Sequence, residues 1–164
     1  MNRLSIRRGG LVAPILILVL ALSTAAQAGG DWNDDGIAWR PFDDGLAEAG
    51  KTGKPICLVV YTDWCPHCTN YSRLFHDAEI EKLSRDFVMV RLNQDDDRQI
   101  TDRYGPDGLY VPRTMFLGAD GELDPALKIP RAKYVYFYDE HDPGPLRAAL
   151  KAARRKLART AADS

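Results

Sequence analysis

The sequence predicts an α/β fold with parallel strands joined by helices, and three observations support this class. Two apolar, β-branched runs, residues 56–61 and 87–92, have the composition of buried strands. A helical pattern with Tyr71, Leu74 and Phe75 on one side lies between them. The order strand, helix, strand places the two strands parallel in one sheet, connected by a crossover.

The first 28 residues are typical of a secretory signal peptide. Arg3, Arg7 and Arg8 precede an apolar core at residues 11–22, and Ala-Gln-Ala at 26–28 fits a cleavage site. A membrane anchor is the alternative, but it needs about 20 apolar residues and this run is shorter. We therefore predict an exported protein whose mature chain has no membrane span.

Cleavage after residue 28 of the 164 leaves a chain long enough for one domain with a sizeable core. The 22 basic residues less three arginines, against 23 acidic residues, give the mature chain a net charge of −4, which does not indicate a nucleic-acid partner. The C-terminal sequence Ala-Ala-Asp-Ser is not a KDEL-like retention signal. Among the compartments where disulfides persist, the periplasm is therefore favoured over the endoplasmic reticulum lumen.

The predicted organisation is a polar leader at residues 29–38, one domain over residues 39–160 and a tail at 161–164. Within the leader, residues 31–36 fit the opening of a calcium loop, but the twelfth position is Phe42 rather than glutamate, so we predict no calcium site. Trp39, Phe42 and Leu46 are at helical spacing and predict that the first helix begins here.

The remaining elements follow from apolar periodicity and turn residues. Residues 76–85 continue a helical pattern, and residues 93–103 are polar enough for a loop and a short helix. Residues 114–117 are predicted to form a third strand, while residues 134–138 fit either extended structure or a loop packed on the core. From Pro145 onward, an apolar stripe opposite basic residues predicts a helix that caps the sheet.

A cysteine pair lies where the first long strand meets the following helix, in the run Trp-Cys-Pro-His-Cys at 64–68. Cys65 is expected at the helix N-terminus, where backbone N–H groups favour the thiolate, and Pro66 fits the first helical position. Cys68 falls one turn later on the same face, close enough for a disulfide with Cys65. This pattern indicates a two-electron redox switch rather than a zinc site, for which no second ligand pair follows, or a structural disulfide across so short a loop.

Two hypotheses about neighbouring residues and two alternative functions accompany the redox interpretation. Protonated His67 stabilises a Cys65 thiolate, so Pro66 and His67 are predicted to tune the redox potential. Cys57, in the strand, is most simply a small buried hydrophobe. Functions from other classes are Cu(I) delivery through the two paired cysteines and substrate holding in which the cysteines are incidental; we predict no cofactor and no resident metal.

The whole pattern is similar to a thioredoxin fold. Trp39-Arg40, Asp44-Gly45, Trp64-Cys65, Phe-Val-Met-Val at 87–90 and Pro-Asp-Gly-Leu-Tyr-Val-Pro-Arg-Thr-Met-Phe-Leu at 106–117 resemble, more narrowly, the endoplasmic-reticulum thioredoxin-domain proteins of the anterior gradient group. The resemblance covers residues 39–157. It implies a central mixed sheet flanked by helices, and the activity of a thiol–disulfide oxidoreductase.

The resemblance also implies roles for individual residues. Cys65 would be the attacking thiol, Cys68 the resolving thiol, and Pro112 the cis-proline that faces them. The backbone of Val111 would pair with an extended substrate chain. From its position beside Cys65, Trp64 is expected to shield the disulfide and grip the substrate, with a plain packing role as the alternative. The implied partners are cysteine-containing protein substrates and a redox partner protein.

The sequence departs from the thioredoxin pattern at one position and carries two opposed cues about electron flow. Val59 replaces the buried acid found six residues before the first active cysteine, so Asp63 or water is left as proton acceptor for Cys68. The Pro-His dipeptide between the cysteines and the valine before Pro112 are similar to oxidising DsbA-type enzymes, whereas residues 61–65 are similar to reducing periplasmic electron-transfer proteins. We expect an oxidase or isomerase, with a reductase as the alternative. Arg113 is expected at the surface, where it could favour acidic partners.

Overall fold

The computed structural model describes residues 29–162. The predicted signal peptide, residues 1–28, and the last two residues of the predicted tail lie outside them. The strands are β1 (Trp39–Arg40), β2 (Ile56–Tyr61), β3 (Val88–Asn93) and β4 (Arg113–Leu117). The helices are α1 (Phe42–Thr52), α2 (Pro66–Ser72), α3 (Ala78–Ser84), α4 (Arg98–Arg103) and α5 (Pro143–Ala162), with a 3-10 turn at Arg73–His76.

The four strands form one mixed sheet in the order β1-β3-β2-β4. Strand β3 runs parallel to both β1 and β2, whereas β4 is antiparallel to β2, with Val60 opposite Arg113. The predicted parallel pair with a crossover and the mixed sheet implied by the resemblance are both confirmed. The α/β fold is therefore thioredoxin-like, with a central mixed sheet flanked by helices.

Strand β2 lies between β3 and β4, and both of its faces are covered. Cys57 and Val59 belong to an apolar cluster on the side of α2, α3 and α5, while Leu58 and Val60 belong to a second cluster on the opposite side. All four residues are fully buried. A strand buried on both faces has a continuous apolar run, as residues 56–61 do, rather than an alternating pattern.

The first helix begins three residues later than predicted. Trp39 lies in β1, where it pairs with Met89 of β3, and α1 begins at Phe42. Trp39 and Phe42 have helical spacing although they belong to different elements, because β1 and α1 each direct one of these side chains towards the core. Gly45 in α1 lies so close to Val90 that a Cβ atom at this position would overlap the Val90 side chain. The glycine thus allows α1 to pack directly on the sheet.

The leader contributes to the core, which the sequence analysis did not anticipate. Trp32 and Ile37 are buried, and the Trp32 ring packs against Tyr61 and Phe75 with centroid separations of 5.2 and 5.6 Å. The Trp32 indole N–H also donates a hydrogen bond to the Gly29 carbonyl, at 2.7 Å. Residues 29–38 therefore cover one edge of the cluster beneath α2.

The predicted helix at residues 76–85 is shorter in the structure, because Asp77 is not helical and a new helix begins after it. The Asp77 backbone is extended, and its side chain accepts hydrogen bonds from the backbone N–H groups of Glu79 and Ile80, both at 3.1 Å. This is an N-terminal cap, which begins a new helix rather than continuing the old one. His76 consequently lies in the 3-10 turn and not in α3.

Helix α5 packs on α3, as expected for a helix that caps the sheet. It begins at Pro143 rather than Pro145 and buries Leu146, Leu150, Ala153 and Leu157. Arg147 and Lys151 approach Glu79 of α3 at 3.4 and 2.5 Å. No helix within residues 29–162 is long and apolar enough to cross a membrane.

The aromatic segment at 134–138 is a loop packed on the core, which was one of its two predicted structures. Tyr136 and Tyr138 are buried, and none of the named strands includes this segment. A backbone hydrogen bond from Thr114 N–H to the Tyr136 carbonyl, at 2.8 Å, attaches it to β4. The loop thus lies beside the strand that follows Pro112.

Candidate active site

The cysteine pair occupies the first turn of α2. Cys65 is the N-cap residue and Pro66 is the first helical residue, as predicted. The backbone N–H of Cys68 donates a hydrogen bond to the Cys65 sulfur, with a donor–sulfur distance of 3.3 Å. An N–H aimed at the sulfur stabilises a thiolate at Cys65 more than a thiol.

The two sulfurs differ in environment. Cys65 is buried with 4% exposure, whereas Cys68 is completely inaccessible. Burial raises the pKa of the Cys68 thiol, and its hydrogen bond with Cys65 raises it further, while a hydrogen bond with the Thr62 backbone acts in the opposite direction. Cys65 is therefore the more accessible of the two cysteines, although both are buried.

The loop before β4 faces the cysteines. The peptide bond between Val111 and Pro112 is cis, and the Cys65 thiol donates to the Val111 carbonyl at 3.8 Å. The two segments are 46 residues apart in the chain. The fold therefore brings Cys65, Cys68, Val111 and Pro112 together, as the resemblance implies.

The loop that carries Val111 is held by residues of the Pro-Asp-Gly-Leu-Tyr-Val-Pro-Arg motif. The Tyr110 hydroxyl donates to the Asp107 carboxylate at 2.9 Å and accepts the Tyr136 backbone N–H at 2.9 Å. Asp107 also accepts the Val135 N–H, at 2.8 Å. These contacts attach the loop to residues 134–138 and fix the position of the Val111 carbonyl.

Arg113 is completely buried, so the prediction that it lies at the surface was wrong. Its Nη1 donates to the Tyr110 carbonyl at 2.6 Å and to the Gln94 side chain at 2.9 Å, and its guanidinium lies over the Tyr110 ring. The remaining Nε and Nη2 donors have no hydrogen-bond partner within residues 29–162. Side chains alternate between the two faces of β4, and residue 113 points to the side of the sheet opposite α2. From there the Arg113 guanidinium supports the Val111 loop through its bond to the Tyr110 carbonyl.

Trp64 stands at the surface beside the cysteines. It is 70% exposed, and its indole N–H donates a hydrogen bond to the Asp95 carboxylate at 2.7 Å. Asp95 belongs to an acidic run after β3 that the sequence indicated only as a solvated loop. The bond fixes the orientation of the ring, leaving much of its apolar surface open to a partner.

His67 is exposed and paired with a residue that sequence analysis missed. Its Nδ1 lies 2.8 Å from the carboxylate of Glu140, whose side chain is only 8% exposed. The same carboxylate accepts a hydrogen bond from Asn70 at 3.1 Å and lies 3.3 Å from His141 Nε2. No spacing rule connects residues 67 and 140, so only a three-dimensional structure could reveal the pair.

The position of the usual buried acid carries no polar group. Val59 is completely buried and paired with Thr114 of β4. Asp63, one predicted alternative, is exposed, and its carboxylate accepts a hydrogen bond from Asn93 at 3.1 Å. The Thr62 hydroxyl is buried and has no hydrogen-bond partner in the part of the chain that the structure describes.

Cys57 is buried in the same apolar cluster as the cysteine pair. Burial raises the pKa of its thiol. A buried, protonated thiol is a poor nucleophile, which agrees with its predicted role as a small hydrophobe. Within residues 29–162, no group of three or more His, Cys, Asp and Glu side chains is arranged to hold a metal ion.

A strand-to-helix cysteine pair opposite a cis-proline loop, on a mixed four-stranded sheet, defines the thioredoxin-like class of oxidoreductase. Comparison with known proteins agrees: residues 38–119 match the thioredoxin-like family, and the chain belongs to it. Anterior gradient protein 1 of Xenopus tropicalis is 30% identical over 149 residues, covering 88% of this chain and 75% of that protein. Anterior gradient protein 2 homolog of Homo sapiens is 29% identical over 134 residues, covering 77% and 71%.

Solved structures agree on the fold. A thioredoxin from Thermus thermophilus superposes with a TM-score of 0.53 at 18% sequence identity, over 71% of this chain and 86% of that one. Family membership and the relation to the anterior gradient proteins rest on the sequence matches, and the chain carries a Cys65–Cys68 pair.

Proposed function

We propose that the chain is an exported thiol–disulfide oxidoreductase that exchanges the Cys65–Cys68 disulfide or dithiol with cysteines of protein substrates, acting mainly as an oxidase or isomerase. The observation that carries the proposal is the position of the Cys65 sulfur, 3.3 Å from the Cys68 N–H and 3.8 Å from the Val111 carbonyl. The Cys68 N–H would stabilise a thiolate, and the Val111 carbonyl lies where an extended substrate backbone could pair with the loop.

The proposed oxidation proceeds through a mixed disulfide. A substrate thiolate attacks Cys65 of the Cys65–Cys68 disulfide, and Cys68 leaves and takes up a proton. A second substrate thiolate then attacks the substrate sulfur, and Cys65 leaves as a thiolate stabilised by the Cys68 N–H. Two electrons pass from the substrate to the cysteine pair, and a redox partner protein removes them by the same exchange in the opposite direction.

Exposed apolar side chains around the cysteines support protein substrates with exposed apolar segments. Among the described residues, the exposed large hydrophobic side chains are Trp64, Leu109 and Tyr134. Trp64 adjoins Cys65, and Leu109 belongs to the Val111 loop. The ring of Tyr134 packs against Tyr110 of that loop, with a centroid separation of 4.8 Å. The exposed ring of Trp64 next to Cys65 supports an unfolded or partly folded chain as substrate rather than a small molecule.

The direction of electron flow and the compartment rest on sequence features. Pro66 and His67 between the cysteines, and Val111 before Pro112, support an oxidising enzyme, because a cationic His67 would stabilise the Cys65 thiolate and hence the reduced form. The signal-like residues 1–28 support export, with the periplasm as the proposed compartment.

The test is the reduction potential of the Cys65–Cys68 couple, measured by equilibrating residues 29–164 with glutathione buffers. An oxidase predicts a value nearer about −120 mV than about −270 mV, the values of DsbA and thioredoxin. A thioredoxin-like value would make the protein a reductase. Stoichiometric copper that survives anaerobic purification and dialysis would instead favour the Cu(I)-delivery hypothesis.

A further inference from the structure

The Cys68 thiol requires a proton acceptor that the usual position does not provide. Cys68 is completely buried, and burial raises the pKa of its thiol. It must nevertheless lose its proton to attack a mixed disulfide at Cys65, because the thiolate is the nucleophile. Val59 stands where thioredoxins carry an acid, so the acceptor has to come from another element.

Most of the nearby polar groups are unsuitable. Asp63 is exposed and hydrogen-bonded to Asn93. The Tyr71 and Tyr138 hydroxyls are buried, and burial raises the pKa of both, which leaves them protonated. The Thr62 hydroxyl is buried but is too weak a base at neutral pH.

Glu140 is a largely buried carboxylate beside the helix that carries Cys68. Its side chain is 8% exposed and bonds to two residues of α2 that flank Cys68 in sequence, His67 at 2.8 Å and Asn70 at 3.1 Å. The carboxylate therefore lies alongside the first turn of this helix. Its negative charge is the smallest of the influences that raise the Cys68 pKa, after burial and the neighbouring Cys65.

We propose that Glu140, held against α2 by His67 and Asn70, accepts the Cys68 proton, directly or through one water molecule; this inference rests on the proposed function. In the mixed disulfide, the Cys68 S–H bond breaks and its proton passes to the Glu140 carboxylate. The Cys68 sulfur attacks the Cys65 sulfur, the Cys65–Cys68 disulfide forms, and the substrate leaves as a thiolate. In the oxidising direction the protonated Glu140 returns the proton as Cys68 leaves.

Two roles for Glu140 predict opposite effects of the isosteric substitution Glu140→Gln. If Glu140 accepts the proton, removing its charge slows the attack of Cys68, and general-base contributions are typically about 10²–10⁴-fold. If Glu140 only repels negative charge on Cys68, the substitution makes the thiolate easier to form and speeds the same step.

The experiment follows the formation of a glutathione adduct at Cys65 and its resolution by Cys68 separately. Reduced wild-type protein is mixed with glutathione disulfide at concentrations that make attack by Cys65 faster than resolution, and samples are acid-quenched and weighed by mass spectrometry. We expect Glu140→Gln to prolong the lifetime of the glutathione adduct at least about tenfold, with its rate of formation unchanged within about twofold. Asp139→Asn, at the exposed neighbouring carboxylate, should leave both rates unchanged.

A second background separates Glu140 from His67. In the His67→Ala protein Asn70 still donates its hydrogen bond to Glu140, so the carboxylate keeps its place and the slowing caused by Glu140→Gln should persist. Disappearance of the slowing there would show that Glu140 acts through His67, which overturns the proposal. An unchanged or shortened adduct lifetime in Glu140→Gln alone overturns it as well. If the wild-type protein forms no adduct that Cys68 resolves, the proposed function itself fails, which is a distinguishable result.

Discussion

The Cys65 sulfur lies 3.8 Å from the Val111 carbonyl oxygen, although 46 residues separate them in the chain. The contact joins the two parts of the candidate active site, the first turn of α2 and the loop before β4. β2 and β4 are antiparallel neighbours in the sheet, so the end of β2 and the start of β4 lie side by side. The contact depends on this pairing, because the first segment follows β2 and the second precedes β4.

His67→Ala should make the Cys65–Cys68 couple less oxidising. Removing the imidazole removes the cationic form that would stabilise the Cys65 thiolate, and a shift of about 30 mV corresponds to roughly 1.4 kcal/mol. The measurement is equilibration with glutathione at pH 6 and pH 7. His141→Ala is the matched control, because His141 also contacts Glu140 but lies outside the cysteine motif. Equal shifts in the two variants would contradict a specific role for His67.

Trp64→Ala should reduce activity towards proteins more than towards small disulfides. The ring is 70% exposed, so we expect the free energy of unfolding to change by less than about 0.5 kcal/mol. The value of kcat/KM with a reduced, unfolded protein substrate should fall about tenfold, which corresponds to about 1.4 kcal/mol of lost contact. With glutathione as substrate it should remain close to the wild-type value, and an equal loss for both substrates would show that Trp64 acts on the cysteines instead.

Tyr110→Phe should destabilise the protein through the Val111 loop. The substitution removes a hydroxyl that bonds to Asp107 and to the Tyr136 N–H, and each such bond contributes about 1 kcal/mol. Urea unfolding should show a decrease of about 1–2 kcal/mol. Tyr134→Phe, at a tyrosine that is 55% exposed, should have almost no effect. Similar stabilities for Tyr110→Phe and the wild type would mean that the motif does not hold the loop.

Cys57 should make stability fall at alkaline pH. Burial raises the pKa of the folded thiol above its unfolded value of about 8.5. Below pH 8.5 both states keep the proton; above it the unfolded state releases the proton and the folded state does not, so the free energy of unfolding declines with rising pH. The expected slope from this residue approaches about 1.4 kcal/mol per pH unit well above pH 8.5, and the loss between pH 8.5 and 9.5 should be about 1 kcal/mol.

The measurement for Cys57 uses the oxidised protein, in which the other two thiols are absent. Unfolding in urea between pH 8.5 and 9.5 should show the decline in the wild type and lose that component in Cys57→Ala. A decline of equal slope in both proteins would assign it to other groups, such as the buried tyrosines.

Local patterns predicted the three longer strands and the place of the cysteine pair in the fold well. The bounds of β2 were predicted as observed, because residues 56–61 are apolar on both faces and end at a turn. Cys65 and Pro66 occupy the predicted cap and first helical positions, which depend only on neighbouring residues. The cis bond at Pro112 and the role of its loop came from the family resemblance, since no spacing rule specifies them.

Contacts between distant segments were the part that sequence could not provide. Trp39 has helical spacing with Phe42 yet lies in a strand, because pairing with β3 overrides the local pattern. Arg113 is buried because its guanidinium reaches the Tyr110 carbonyl and Gln94, which a charged residue after a proline does not reveal. Glu140 is one of many acidic residues in the sequence, and only its contact with His67 distinguishes it.

The most direct test of the account is covalent capture of substrates by Cys68→Ser. Without the resolving thiol, Cys65 should remain joined to substrate proteins in mixed disulfides when the full-length variant is expressed and exported, and peptide mass spectrometry should place the linkage on Cys65. Cys65→Ser should capture far less, because the buried Cys68 cannot reach a substrate. Capture of equal extent through Cys68 or Cys57, or no capture by Cys68→Ser, would contradict the assignment of Cys65 as the attacking thiol.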